Sequence, residues 1–239
     1  MSDPLRTLTF GDVEQDVWGA AWLPGRDGLL LLGVGDDASV FEVSLEVSGQ
    51  EWRLKAPGLE LVAAPSSPPV ELSDEDGAPA GSEQACAIVV MPGGGPELQS
   101  AGRRGEHPLE RATHKLESLR EVSAWFEGGE AVAVFAVRAQ KQRGQDQDAI
   151  SAVVLDPEGA PAITDPRLST TYAASGRPTR TTLELWSDDP EGFPRRFAGE
   201  SAERSAQADG AGWSLHAELM RCHSRGRDGT GVYMIARPA

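Results

Sequence analysis

The sequence predicts an all-β, antiparallel fold of two β-units, each curled into a barrel or half-barrel. Three observations predict it. Short apolar or alternating runs follow one another between turns, with 27 Gly and 17 Pro spread along the chain. Amphipathic runs at helical spacing are scarce, and no βαβ rhythm is visible. The segment 119–140 reads as a hairpin, two strands joined at Glu127-Gly128-Gly129.

A fainter version of that hairpin lies upstream. Trp22 leads through a turn at 24–28 into the apolar run 29–34, then Asp36-Asp37 and another strand. Trp125 leads through Gly128-Gly129 into the apolar run 131–137, then Asp146 and another strand. This weak internal duplication makes Trp22 and Trp125 equivalent positions. It divides the chain into units of residues 1–100 and 101–239.

Taken in order, residues 5–10 alternate as a first strand. In 17–23, Trp18 and Trp22 share a parity and so a face. Residues 29–34 are apolar on both faces, as in a central strand. In 40–47, Phe41, Val43, Leu45 and Val47 face inward, while Glu42, Ser44 and Glu46 face out. Trp52 and Leu54 oppose Glu51, Arg53 and Lys55, and 59–63 closes this half.

Residues 64–82 offer little to bury and read as a mobile loop rich in Pro, Ser and acid. Asp74, Glu75 and Asp76 beside Gly77 lack the ligand spacing of a calcium loop. Residues 84–90 resume as a strand. The run Gly93-Gly94-Gly95-Pro96 opens an irregular stretch to about His107; it lacks the Lys-Ser/Thr of a phosphate cradle.

Beyond it, 109–116 and the hairpin continue the sheet. Further strands are read at 150–155, 168–172, 179–186, 195–201, 213–223 and 232–236. The total is about fifteen, with turns at the spacing of sandwiches and barrels and too many for one open sheet.

The chain carries 22 Lys plus Arg against 37 Asp plus Glu, a net charge of −15. A nucleic-acid binder needs a basic footprint, and this surplus repels phosphates and anionic lipid alike. A hydrophobic content of 39% with six Trp marks a globular chain. The apolar run near 29–32 is too short to span a bilayer. The N-terminal residues show no export signal, so the expectation is a cytoplasmic protein with Cys86 and Cys222 reduced. The four histidines (107, 114, 216 and 223) form no close ligand pair, and neither cysteine sits in a Cys-x-x-Cys motif. No metal and no cofactor are expected, and oligomeric state is not readable.

Four segments carry a resemblance: Asp165-Pro-Arg-Leu-Ser-Thr-Thr-Tyr172, Leu183-Glu-Leu-Trp186, Pro194-Arg-Arg-Phe-Ala-Gly-Glu200 and Gly226-Arg-Asp-Gly-Thr-Gly-Val-Tyr233. Together they resemble uncharacterised bacterial relatives of hydroxyneurosporene synthase, the carotenoid hydratase family, over residues 109–239. Trp18-Gly19 with Trp22 resembles that family's Trp-Gly motif. Where the family carries an Arg-Asp pair nearby, this chain has Ala20-Ala21. The resemblance implies tandem lipocalin-like barrels whose apolar interior holds an isoprenoid or another hydrophobic molecule. Its hydratases protonate an isolated double bond, which needs a carboxylic acid kept neutral in an apolar cavity.

Two residues are candidate acids. Glu184 shares its parity with Trp186: either it lines a barrel, or Leu183 and Leu185 face the core and Glu184 pairs with Arg180 outside. His216 and Glu218 share a face with Met220 and Cys222: either that face lines a pocket, making an acid–base pair, or it is the wet side of a sheet. Glu200 either faces a ligand or pairs with Arg195 or Arg196. The expected ligand-lining set is Trp18, Trp22, Trp125, Tyr172, Trp186, Glu200 and Met220.

Three functions follow. The first is a barrel that binds a small hydrophobic molecule, without nucleic acid and without membrane insertion. The second is a hydratase- or cyclase-like enzyme acting on an isoprenoid or lipid through Glu184 or His216. The third is a structural or interaction protein whose barrels are filled by their own side chains.

Overall fold

The computed structural model describes residues 3–73, 79–108, 116–140, 148–156, 162–187 and 193–239. Among them lie seventeen strands and no helix. The first sheet contains β1 (Leu5–Asp12), β2 (Val17–Leu23), β3 (Asp27–Val34), β4 (Asp37–Ser48), β5 (Glu51–Ala56), β6 (Leu59–Pro65), β7 (Val70–Ser73), β8 (Pro79–Pro92) and β9 (Leu98–His107). The second contains β10 (Leu116–Phe126), β11 (Ala131–Ala139), β12 (Ala149–Leu155), β13 (Ile163–Tyr172), β14 (Pro178–Ser187), β15 (Arg195–Gly210), β16 (Trp213–Ser224) and β17 (Arg227–Pro238).

In the first sheet each strand from β1 to β6 pairs with the next, β8 pairs with β6 and β9, and β9 returns to β1. These pairings close an eight-stranded antiparallel barrel, and β7 is a short addition along β8. The second sheet runs β12-β11-β10-β17-β16-β15-β14-β13. Its end strands β12 and β13 touch along a seam, where the described residues form no ladder. It is therefore a nearly closed barrel.

Side-chain alternation builds three cores from these two sheets. On β2, Val17, Ala21 and Leu23 point into the first barrel, while Trp18, Ala20 and Trp22 point out of it. On β10, Val122, Ala124 and Phe126 point into the second barrel, while Leu119 and Trp125 point out. The outward faces meet in one shared apolar layer, where Trp22 meets Trp213 edge-on at 5.0 Å. A Cβ at Gly33 would lie 2.1 Å from the Trp18 indole nitrogen, so a residue without a side chain is needed there. At the rim Arg204 spans the barrels, 3.3 Å from Asp16 and 2.6 Å from Asp36.

The expected hairpin is present. Trp125 faces Ala131, and Gly128 and Gly129 take φ of 89° and 85° in the turn, a region that glycine enters without steric cost. The correspondence of Trp22 with Trp125 is not the one the topology makes. Each barrel begins with a strand that pairs with both its successor and the barrel's last strand: β1 with β2 and β9, β10 with β11 and β17. The counterpart of β10 is thus β1, one strand before Trp22. Both tryptophans nevertheless reach the shared layer.

Other expectations need correction. Residues 64–82 contain the end of β6, all of β7 and the start of β8; 74–78, with the acidic triplet, lie outside the described residues. The stretch read as irregular to His107 holds β9, so the expected division at 100/101 falls inside a strand of the first barrel. Its apolar alternation is hidden by glycines that permit close approach. A Cβ at Gly102 would lie 2.6 Å from Ile88 Cγ1 and 2.8 Å from the Thr9 carbonyl oxygen. Val47, expected inward, is exposed near the end of β4. The strand read at 109–116 lies, except for Leu116, outside the described residues. Strand β15 continues well past Ser201 to Gly210, across a bulge at which Glu203 takes a φ of 62°.

Candidate functional site

The interior of the second barrel is divided along its axis. Its lower part is apolar, with Val122, Val134, Leu183, Leu185, Phe197 and Met220 in contact. Continuing the same inward parity towards the other end of the strands brings in Arg120 on β10, Arg138 on β11, Tyr172 on β13 and Tyr233 on β17. At that mouth lies a pocket of about 180 Å³. It is lined by Ser118, Arg120, Arg138, Tyr172 and Ile235, with Glu117, Gly176 and Arg237 at its edge.

Asp148 anchors the polar layer. Its side chain is fully buried, and it accepts hydrogen bonds from Arg120 and from Arg138, the latter at 2.7 Å. Arg120 also lies against the hydroxyls of Tyr172 and Tyr233. Those hydroxyls are 3.1 Å apart, and Thr170 Oγ1 is 3.0 Å from that of Tyr233. The two tyrosines respond oppositely. Burial works against ionisation of Tyr172, but the bonds from Tyr233 and Arg120 outweigh it and hold its phenol below the ordinary range. For the more deeply placed Tyr233, burial wins and the phenol is raised.

A second polar group adjoins this one on β16. Glu218 is fully buried and faces Tyr233 across the ladder, as His216 faces Ile235. Its carboxylate accepts a hydrogen bond from Ser201 and one from Arg177 at 3.3 Å, and His216 Nε2 is 3.5 Å from Oε2. The mixed face of this strand is therefore an inner face, and it flanks the pocket.

A third cluster lies between the barrels. Arg103 of β9 is completely buried. Its guanidinium meets Glu83 from β8 on its own barrel and Glu121 from β10 on the other. It also donates to Ser123 Oγ at 2.8 Å, Thr7 Oγ1 at 3.1 Å and Thr9 Oγ1 at 3.2 Å. His107 lies 3.3 Å from Glu83 and stacks on Phe135 at 3.8 Å. Burial opposes ionisation of Glu83, but Arg103 and His107 overcome it and keep the carboxyl below its ordinary value. Sequence reasoning assigned none of these residues. The available signal was a charged residue interrupting an apolar strand, as Glu121 does before Val122.

Of the expected site residues, only Tyr172 lines the pocket, with His216 beside it. Met220 lies deeper, in the apolar part of the same interior. Trp18, Trp22 and Trp125 belong to the layer between the barrels, because their parity turns them away from both interiors. Trp186 is on the outer side of β14, under the Arg167 guanidinium at 5.8 Å. Glu184 shares that outer side and pairs with Arg196 at 3.0 Å, while Leu183 and Leu185 take the core. Glu200 is exposed and lies 3.9 Å from Arg180. Cys86 and Cys222 are unpaired thiols pushed up to about 11 and about 12 by burial, which leaves them poor nucleophiles.

No family model matches the sequence, and no curated protein matches it. Solved structures do match the fold. An AttH-like protein of Nitrosomonas europaea superposes with a TM-score of 0.65 at 13% identity, over 99% of this chain and 92% of that one. CghA bound to Sch210972 gives 0.61 at 11% identity, over 100% and 89%. Kievitone hydratase of Nectria haematococca gives 0.51 at 8% identity, over 99% and 89%. Coverage of both barrels in every case means that their arrangement is shared, not only a single barrel. The chain has the tandem lipocalin-like fold of these proteins.

Proposed function

We propose that the protein binds a small hydrophobic molecule with a polar end at the mouth of the second barrel. The observation that carries this reading is the layered interior: an apolar floor, then a fixed polar layer, then a pocket lined by residues that include Tyr172 and Ile235. Such a site orients a ligand by a few polar groups while apolar contacts supply most of the affinity. A similarly folded protein, CghA, has been crystallised with Sch210972, which supports a ligand role for this architecture. The test is native mass spectrometry of the purified protein and of Ser118→Phe, which fills the pocket. The expected result is a small-molecule adduct on the wild type that is lost in the variant. An adduct equally retained in both would place the ligand elsewhere.

Acid–base chemistry on the bound molecule is a second reading, favoured by the fully buried Glu218 beside His216, which pairs across the ladder with the pocket residue Ile235. Glu184, paired on the outer face, offers less support for it. Deuterium uptake from heavy water by the bound molecule, lost in Glu218→Gln while the adduct persists, is its expected signature. Uptake at the same rate in both proteins would remove Glu218 from any such role.

A further inference from the structure

The free edge of the second barrel is closed by side chains. Strand β13 has a ladder with β14, and along its seam with β12 the described residues form none. Beyond β13 the chain turns through residues 173–177 into β14. That turn closes on itself: the Gly176 amide donates to the Ala173 carbonyl and the Ala173 amide to the Arg177 carbonyl, each at 2.9 Å. Its tip, residues 174–176, is exposed, and a Cβ on Gly176 would meet nothing within 4 Å. At its base the ladder breaks register between Thr171 and Tyr172, an irregularity of the kind that bends a strand. The turn is thus a small self-bonded unit on an irregular base, and Tyr172 and Gly176 place it in the pocket wall.

Side chains at its two ends tie this unit to the rest of the barrel. At the near end the Tyr172 hydroxyl crosses the interior to that of Tyr233 at 3.1 Å and lies against Arg120. At the far end Arg177 reaches past β15 and donates to Glu218 at 3.3 Å. Tyr233 and Glu218 face each other on β17 and β16, so both ties end on one pair of neighbouring residues. Glu218 is fully buried and also held by Ser201, whereas the Arg177 side chain is 32% exposed. The anchor is therefore fixed and the arm that grips it is not.

We infer that residues 172–177 are a flap over the pocket, closed by the Tyr172–Tyr233 and Arg177–Glu218 contacts and lifted along the β12–β13 seam to admit a ligand. A few side-chain contacts stabilise the closed position far less than a backbone ladder does, so the flap opens without unfolding the barrel. As a way in for a ligand the flap rests on the binding reading. Its opening is measured without a ligand, so the flap and the binding reading fail separately.

The test is thiol labelling of Ser118→Cys in the full chain. Ser118 is buried and lines the pocket that Gly176 also lines, and the native thiols of Cys86 and Cys222 are buried and raised. The reagent is dithiodipyridine, which is neutral, so losing an arginine does not change its attraction to the protein. Without denaturant, labelling at position 118 should be much slower than that of a free thiol. Adding Arg177→Met or Tyr172→Phe should speed it about five-fold or more, the scale of one lost contact. Arg195→Met removes a similar pair, 3.4 Å from Glu130 at the other end of the barrel, and should leave the rate unchanged. Equal rates in all four proteins would overturn the flap. An equal rise in Arg195→Met would also overturn it, since labelling would then follow general loosening. Labelling of Ser118→Cys alone at the free-thiol rate would show that nothing covers the pocket.

Discussion

The hydroxyls of Tyr172 and Tyr233 meet at 3.1 Å across the interior of the second barrel, from strands that are not neighbours in the sheet. The contact joins β13 to β17 and sets two phenols on one shared polar layer. They are the only tyrosines of the chain. An absorbance titration of tyrosinate should therefore resolve two steps, one below the ordinary phenol value of 10.0 and one above it. Interacting groups titrate as a pair, so Tyr172→Phe should remove the early step and also shift the late one. Two superimposed steps at the ordinary value would contradict the contact.

Arg103 should be the most costly single charge to remove. It is buried with carboxylates from both barrels. Arg103→Met leaves Glu121 without the cation it meets and Glu83 with His107 alone, and breaking a buried pair from one side costs about 3–5 kcal/mol. Urea unfolding of wild type and variant at pH 7 measures it. A loss below about 1 kcal/mol, the scale of an exposed pair, would mean that water reaches the cluster.

The same cluster predicts acid sensitivity. The carboxyl of Glu83 is lowered in the folded state, so its contribution is complete above its unfolded value near 4.5 and is lost as pH falls below that. Glu83→Gln should flatten the dependence of stability on pH in this acid window, relative to wild type. Unchanged dependence there would remove Glu83 as a source of it.

Gly105 tests the packing around these charges. A Cβ at this position would lie 2.6 Å from Arg103 Nη1, 2.7 Å from Glu83 Oε1 and 2.8 Å from His107 Nε2. Those groups are buried and packed against one another, so they have little room to yield. Gly105→Ala should destabilise the protein by about 1–3 kcal/mol, the usual range for overpacking, as read from thermal or urea unfolding. A neutral effect would show that the cluster has slack.

Much of the architecture is legible in the sequence because alternation and turns are local signals. The strand of Trp52 and Leu54 and the Gly128-Gly129 hairpin can be read from a few neighbours. Which barrel wall a residue faces is not local. Trp18 and Trp22 look like cavity lining because large apolar side chains suit a hollow barrel equally well, and only the packing of one barrel on the other assigns them to a shared layer. Strand β9 escapes pattern reading because Gly102 and Gly105 are selected by neighbours on β1 and β8. The pocket is harder still. Arg120, Arg138 and Asp148 meet through two successive hairpins, β10–β11 and β11–β12, but Tyr172 comes from the strand at the far end of the sheet, and only the closing of the barrel sets it beside them.

Backbone amide shift mapping with octanol tests the central claim most directly, because it locates the ligand without assuming a head group. Binding at the mouth of the second barrel predicts the largest shifts at Ser118, Arg120, Tyr172 and Ile235. Perturbations centred instead on Trp22, Trp125 and Trp213 between the barrels, or on Trp52 in the first barrel, would contradict it.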